Sequence, residues 1–302
     1  MPHKLTLGRL VLLARRDWTR GWRAVYHDYW TARKVLRWRP AAADKPPEKV
    51  SVHVLTGEYD WRYAAWMLAS WFHFTERNWP VFIHDDGSLP PEAVFLYATI
   101  LPEATVITRA RSDAEVDAAL EGRPLCIKGR HFYNPSLKFF DTRHYAPHDR
   151  LIILDSDVLF FQRPSLLLDW VDGRSGGFMF MHDVADASAL DKETVRRTLG
   201  MDLMECVNSG MCFLPKSLID LDFTERCLAE TELLQTTRWT FEQTLFALCA
   251  SRNADGRLLP KTYELTLNPA MRPDSVARHY VGRVRQLIYS EGIRRLRRDL
   301  LQ

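Results

Sequence analysis

Leu151-Ile152-Ile153-Leu154-Asp155-Ser156-Asp157 decides the reading of this chain. Four consecutive apolar residues ending on carboxylates are the pattern of a strand buried on both faces, as at the centre of a largely parallel sheet. In open α/β sheets ligands bind beyond the carboxyl ends of the strands, where Asp155 and Asp157 fall. Residues i and i+2 of an extended chain leave on the same side, so the two carboxylates converge. Carboxylates this close repel unless a cation or a proton joins them. Hard oxygen ligands select Mg²⁺ or Mn²⁺, ions that keep coordination positions open for substrate phosphates. Read in isolation, D-x-D is equally a pair of turn or capping aspartates.

The flanking sequence supports the sheet. Upstream, strands are predicted over 52–55, 81–84 and 104–107, and helices over 61–75, 92–99, 112–120 and 136–145. Thr56-Gly57-Glu58, Asp85-Asp86-Gly87-Ser88 and Gly122-Arg123-Pro124 read as turns. Downstream, strands over 176–181 and 207–214 precede helices over 215–235 and 240–251. Strand and helix alternating at this spacing make a doubly wound α/β sheet.

Composition sets the outer bounds. With 302 residues, 46% hydrophobic and 26% charged, the chain can bury a large core. Residues 1–40 carry a net +8 and residues 278–302 a net +5, which leaves the middle at −10. Basic ends on an acidic body suggest an anionic partner, and no nucleic-acid module accompanies them. Five cysteines without a Cys-x-x-Cys pair suit a reduced, cytoplasmic setting. No apolar run approaches the ~20 residues of a membrane span. The apolar run after Leu10 ends in Arg15-Arg16-Asp17 without a cleavage site, so no signal peptide is expected. Residues 1–49 read as a Trp- and Arg-rich helical extension with a Pro-containing linker, 50–285 as the catalytic body, and 286–302 as a basic amphipathic helix.

After the D-x-D, Val158-Leu159 and a polar turn at Gln162-Arg163-Pro164 complete a pattern that resembles the nucleotide-diphospho-sugar transferases of the GT-A fold, most closely glycosyltransferase family 8, over roughly residues 50–290. The resemblance implies a mixed, mostly parallel sheet with a Rossmann-like nucleotide-binding half. His279-Tyr280-Val281-Gly282-Arg283-Val284-Arg285 is similar to the family's H-x-x-G-x-x-K, with Arg285 in place of Lys and Gln286-Leu287 in place of a following Pro-Trp. By that resemblance His279 is the third metal ligand beside Asp155 and Asp157, Gly282 brings backbone close to phosphate, and Arg285 contacts the donor diphosphate. Each role has a chemical basis. Imidazole is a good Mn²⁺ ligand, and a guanidinium binds phosphate in a bidentate manner.

The same resemblance places Asn208-Ser209-Gly210 along the sugar pocket, and Glu242-Gln243 at the reaction centre with Gln243 near the anomeric carbon. Lys138 is assigned to the donor, with Arg143 competing, Ser156 lies within the donor site, and Thr56, Gly57 and Glu58 fall where the nucleoside binds. The bland alternatives are turns, a helix-start acid and surface cations. The implied activity is metal-dependent transfer of a hexose from a nucleotide-diphosphate sugar, UDP-linked in most of the family, to a glycan or lipid-linked acceptor with retention. Mn²⁺ or Mg²⁺ is the implied cofactor.

Two rival readings exist. A haloacid-dehalogenase-type phosphatase also carries D-x-D-V-L, but about 100 residues of α/β body precede it here and no later acidic pair follows. A non-catalytic membrane-associated scaffold is the other. Leu287, Ile288, Ile293, Leu296 and Leu300 form an apolar helical stripe amid Arg294, Arg295, Arg297 and Arg298. With the Trp/Arg-rich start, this suggests peripheral docking on an anionic inner leaflet.

Overall fold

The computed structural model describes residues 25–41, 45–236 and 238–301, together with positions 11, 14, 18 and 22. Its strands are β1 (Ser51–Thr56), β2 (Val81–Asp85), β3 (Thr105–Ile107), β4 (Arg150–Leu154), β5 (Val158–Phe160), β6 (Phe178–His182), β7 (Val207–Pro215), β8 (Gly256–Leu258), β9 (Tyr263–Leu265) and β10 (Ala277–His279). The α-helices are α1 (Trp61–Thr75), α2 (Pro91–Ile100), α3 (Arg109–Ala119), α4 (Pro124–Arg130), α5 (Leu137–Tyr145), α6 (Ser165–Val171), α7 (Lys192–Leu199), α8 (Leu221–Glu230), α9 (Arg238–Ala250) and α10 (Arg294–Leu300).

Seven strands form the main sheet in the order β3-β2-β1-β4-β7-β6-β8. β1 to β4 run parallel, β7 is antiparallel to both β4 and β6, and β8 is parallel to β6. β4 is central, as its apolar run requires. Ile152 and Leu154 enter one core with Trp66 and Trp71 of α1, while Leu151 and Ile153 enter the opposite core with Phe139 and Phe140 of α5 and Phe246 of α9. The alternation is the two-residue period of a strand buried on both faces. The sheet is therefore mixed and mostly parallel, as expected. A second, three-stranded sheet has the order β5-β10-β9; its β5 directly follows the D-x-D, and its β10, far downstream, pairs His279 with Val158.

Some elements differ from the sequence reading. A single helix over 215–235 is replaced by a 3-10 turn at Lys216–Leu218 and then α8, which Asp220 starts by accepting a hydrogen bond from the Phe223 amide at 3.0 Å. Pro124, read as part of a turn, opens α4, where its fixed φ and missing N–H suit a first helical position.

Residues 32–38 and the C-terminal segment pack on the body. Ala32, Val35 and Trp38 are buried in the α1 core, and the Trp66 indole donates to the Ala32 carbonyl at 3.0 Å. Ile288, Ile293, Leu296 and Leu300 enter the same core, while Arg294, Arg297 and Arg298 face solvent. The C-terminal apolar stripe thus meets protein, and the lipid-facing role expected of it is corrected by that burial. No helix among the described residues is long and apolar enough to cross a membrane. Much of the Trp/Arg-rich start, including residues 1–10, lies outside the described residues.

Candidate active site

The carboxyl ends of β1, β2, β4 and β6 share one edge of the main sheet, and the amino end of antiparallel β7 joins them there. Asp155 leaves the end of β4, its amide donating to the Gly210 carbonyl of β7 at 2.8 Å. The chain then turns through buried Ser156 to Asp157 and enters β5. Because β5 pairs with β10, and the Tyr280 amide donates to the Asp157 carbonyl at 2.9 Å, His279 is delivered beside the acids by register.

His279 Nε2 lies 3.0 Å from Asp157 Oδ1 and 3.6 Å from Asp155 Oδ2. One ligand atom from each of the three residues lies within 4.8 Å of the others. Ligands about 2.1 Å from an octahedral ion stand about 3 Å apart when adjacent, so these side chains could close on a divalent cation with small adjustments. Two carboxylates and an imidazole are also a donor set that such ions accept. Burial opposes charge on both Asp157 and His279. Their mutual attraction overcomes it, so the Asp157 carboxyl is held below and the His279 imidazole above the ordinary value.

Gly210 makes room for the imidazole. A methyl group at this position would overlap the His279 ring and crowd Asn208 Oδ1. His279 Nδ1 is buried without a hydrogen-bond partner among the described residues, so packing against Gly210 orients that side of the ring.

Lys138 forms the floor. Its ammonium donates to Asp155 Oδ1 at 2.6 Å and to the Ser209 hydroxyl at 3.2 Å, and stands 2.8 Å from Glu242 Oε1. Burial disfavours its charge, but Asp155 and Glu242 outweigh that and raise its pKa. Glu242 is shifted upward by burial and by Asp155, with Lys138 opposing. Lys138 therefore holds the Asp155 carboxylate in place. Its competitor Arg143 donates instead to the Ile219 carbonyl at 2.7 Å. The helix bearing Lys138 is fixed by fully buried Arg130 of α4, which grips Asp141 of α5 at 2.8 and 3.0 Å and reaches Asp113 of α3 at 2.7 Å.

Asn208 is occupied by protein. Its amide donates to Asp183 Oδ2 at 2.9 Å and Gln243 Oε1 at 3.2 Å, and its Oδ1 accepts from the Gly210 amide at 2.9 Å. It orients Asp183 and Gln243. Asp183, absent from the sequence reading, stands just past β6 as Asp155 stands past β4; an apolar strand ending on an acid was the signal available.

Arg285 reaches the cluster from the other side, donating to Asp60 Oδ1 at 2.6 Å and lying 3.6 Å from Asp157 Oδ2. Asp60, also absent from the sequence reading, precedes α1. Burial raises its pKa more than Arg285 lowers it. Gly282 has φ +51°, and a Cβ there would meet only Leu267 at 3.8 Å. Its backbone conformation, more than crowding, favours glycine. Thr56 ends β1 in register with Asp85, its carbonyl accepting from the Asp86 amide at 3.1 Å. Gly57 follows, closely covered by the Asp86 carboxylate. Asp85 and Asp86 themselves accept from Gly87, Ser88 and Leu89 amides, which makes that segment a self-satisfied turn.

The sequence matches no protein-family model and no curated protein. Among solved structures, the chain is similar to the apo form of mouse xyloside xylosyltransferase 1, with TM-score 0.52 and 11% identity over 76% of this chain and 96% of that one. It is also similar to the galactosyltransferase LgtC in complex with donor and acceptor sugar analogues, with TM-score 0.46 and 15% identity over 77% of this chain and 87% of that one. The first of these likenesses concerns the fold, which is the GT-A glycosyltransferase fold expected from the motifs.

Proposed function

We propose that this chain is a metal-dependent glycosyltransferase that moves a hexose from a nucleotide-diphosphate sugar, UDP-linked by resemblance, to a glycan or lipid-linked acceptor with retention. The observation that carries the reading is the convergence of His279 on Asp155 and Asp157 at the carboxyl edge of a GT-A sheet. The rival phosphatase and scaffold readings gain no support from this arrangement.

Asp155, Asp157 and His279 would hold Mn²⁺ or Mg²⁺, which when bound supplies the Lewis acidity that lets a diphosphate leave. Lys138 keeps Asp155 aimed at the cluster. Arg285, already between Asp60 and Asp157, exchanges part of that pairing for diphosphate oxygens and disperses their charge. Thr56 and Gly57, at the end of the neighbouring strand, line the nucleoside side, and Ser156 and Gly282 offer close approach to the phosphates. On the sugar side, Asp183 and Gln243 present oxygens to hydroxyl groups from positions fixed by Asn208. Glu242 supports Lys138 beneath them.

A thermal-shift panel of sugar nucleotides, with and without Mn²⁺, tests the reading. One donor class should raise the melting temperature only with metal, since ligand that binds the native state alone stabilises it. Asp157→Ala should abolish that shift. An unchanged shift in the variant contradicts the metal assignment, and no shift with any donor contradicts the transferase reading.

A further inference from the structure

Among the described residues ahead of the linker, four aromatic side chains are exposed. Trp18 is 88% exposed, Trp22 76%, Tyr26 52% and Trp30 63%. They recur every four residues, so they share one helical face. Large apolar side chains belong in a core, and a contiguous exposed row of them marks an interaction surface. The row is aromatic, with no Leu or Ile among its members. Trp and Tyr pair an apolar ring with a polar N–H or O–H, a combination that suits the boundary between hydrocarbon and water.

Positive charge lies beside it. The row leads through the π-turn His27–Thr31 into the 3-10 turn Ala32–Arg37, which carries exposed Arg37 and half-buried Lys34. Burial, then the charges of Arg297 of α10 and of Arg37, lower the Lys34 pKa, so the three cations belong to one neighbourhood. Arg294 and Arg298 are exposed on the same short helix. Apolar side chains of α10 are fixed in the core, so these arginines are presented on a rigid support.

The location connects this surface with the candidate active site. His27 stacks on Tyr289 at 5.5 Å, Tyr289 packs on Tyr63 at 5.1 Å, and Arg285 lies 5.8 Å over the Tyr63 ring. From these observations we infer that the aromatic row and the adjacent basic cluster form a docking surface for an anionic lipid bilayer. Trp18, Trp22, Tyr26 and Trp30 enter the headgroup region while Lys34, Arg37 and Arg297 meet lipid phosphates. The docking claim stands without the transferase reading. If both hold, the acceptor is lipid-borne and reaches the Arg285 side of the site from the membrane.

Co-sedimentation of the full chain with vesicles tests this. Phosphatidylcholine vesicles containing one quarter phosphatidylglycerol should bind the protein and blue-shift its tryptophan emission, and pure phosphatidylcholine should bind it roughly tenfold more weakly. The triple variant W18S/W22S/W30S changes three largely exposed side chains and should keep the parent's circular dichroism and melting temperature. It should lose the blue shift and weaken vesicle binding by roughly tenfold or more. The charge variant K34E/R37E/R297E should lose the preference for anionic vesicles. No binding by the parent, or equal binding by parent and triple variant, overturns the inference. So does concentration-dependent self-association abolished in the triple variant, which would assign the face to a second copy of the chain. Metal-dependent donor binding unchanged in both variants keeps a failure here distinct from a failure of the transferase reading.

Discussion

At the scale of single residues, the site depends on one missing side chain. Gly210 lies where a methyl group would overlap the His279 ring, and no hydrogen bond to Nδ1 from the described residues restores the orientation of that ring once it is pushed. Gly210→Ala should therefore weaken Mn²⁺ binding by roughly 10–100-fold, the range seen when groups that orient metal ligands are altered. Isothermal titration would measure it, and an affinity equal to that of the parent would show that the imidazole is not a ligand. The Asp-x-Asp pair was legible because an apolar strand ending on acids has a chemical consequence that can be stated from sequence. His279 was legible only through its resemblance to a longer motif, since nothing local to a histidine before an aromatic announces a metal. Asp60 had no motif, and Asp183 only its place after an apolar strand. Asp183 joins the site because β6 ends on the same edge as β4, and Asp60 because Arg285 pairs with it at the start of α1, both facts of topology.

At the scale of elements, β1 and β2 are joined by a buried histidine pair. His53 Nδ1 and His84 Nε2 are 3.0 Å apart, and His53 Nε2 meets the Ser51 hydroxyl at 2.8 Å. Burial disfavours the imidazolium at both; His53 is lowered well below its ordinary value and His84 is pushed down to about 4. Well above pH 6.5 neither the folded nor the unfolded chain protonates these rings, and the pair has no pH dependence there. Below it the unfolded chain takes up protons that the folded chain refuses, so stability falls as pH drops from about 6.5 toward 4. The limiting slope is about 1.4 kcal/mol per pH unit for each proton. Denaturant titrations at pH 7.5 and 5 should show this loss, and H53N/H84N should reduce it. An unchanged slope in the double variant would assign the acid sensitivity elsewhere. Long elements such as α1 and β4 were legible because each carries several residues of a clear pattern. β8, β9 and β10 were not, since three residues display no period and these strands exist by pairing with distant partners.

At the scale of the whole molecule, two sheets cooperate. The main sheet brings Asp155 and Asn208 to one edge, where Lys138 of α5 meets Asp155, and the small sheet carries His279 back to the same edge by its pairing with β5. The basic ends, which composition marked as a pair, have different fates. The C-terminal apolar stripe closes the core, and the N-terminal aromatic row remains exposed. Sequence periodicity identifies an apolar face but cannot say whether protein or lipid covers it. The central claim is that this assembly grips one divalent ion between two neighbouring acids and a distant imidazole. Crystals soaked with Mn²⁺ and UDP and measured near the manganese absorption edge test it most directly. A single anomalous peak bonded to Asp155, Asp157 and His279 and to the diphosphate is the predicted result; a peak elsewhere, or diphosphate bound while His279 stays paired with Asp157 and no ion lies between them, would contradict it.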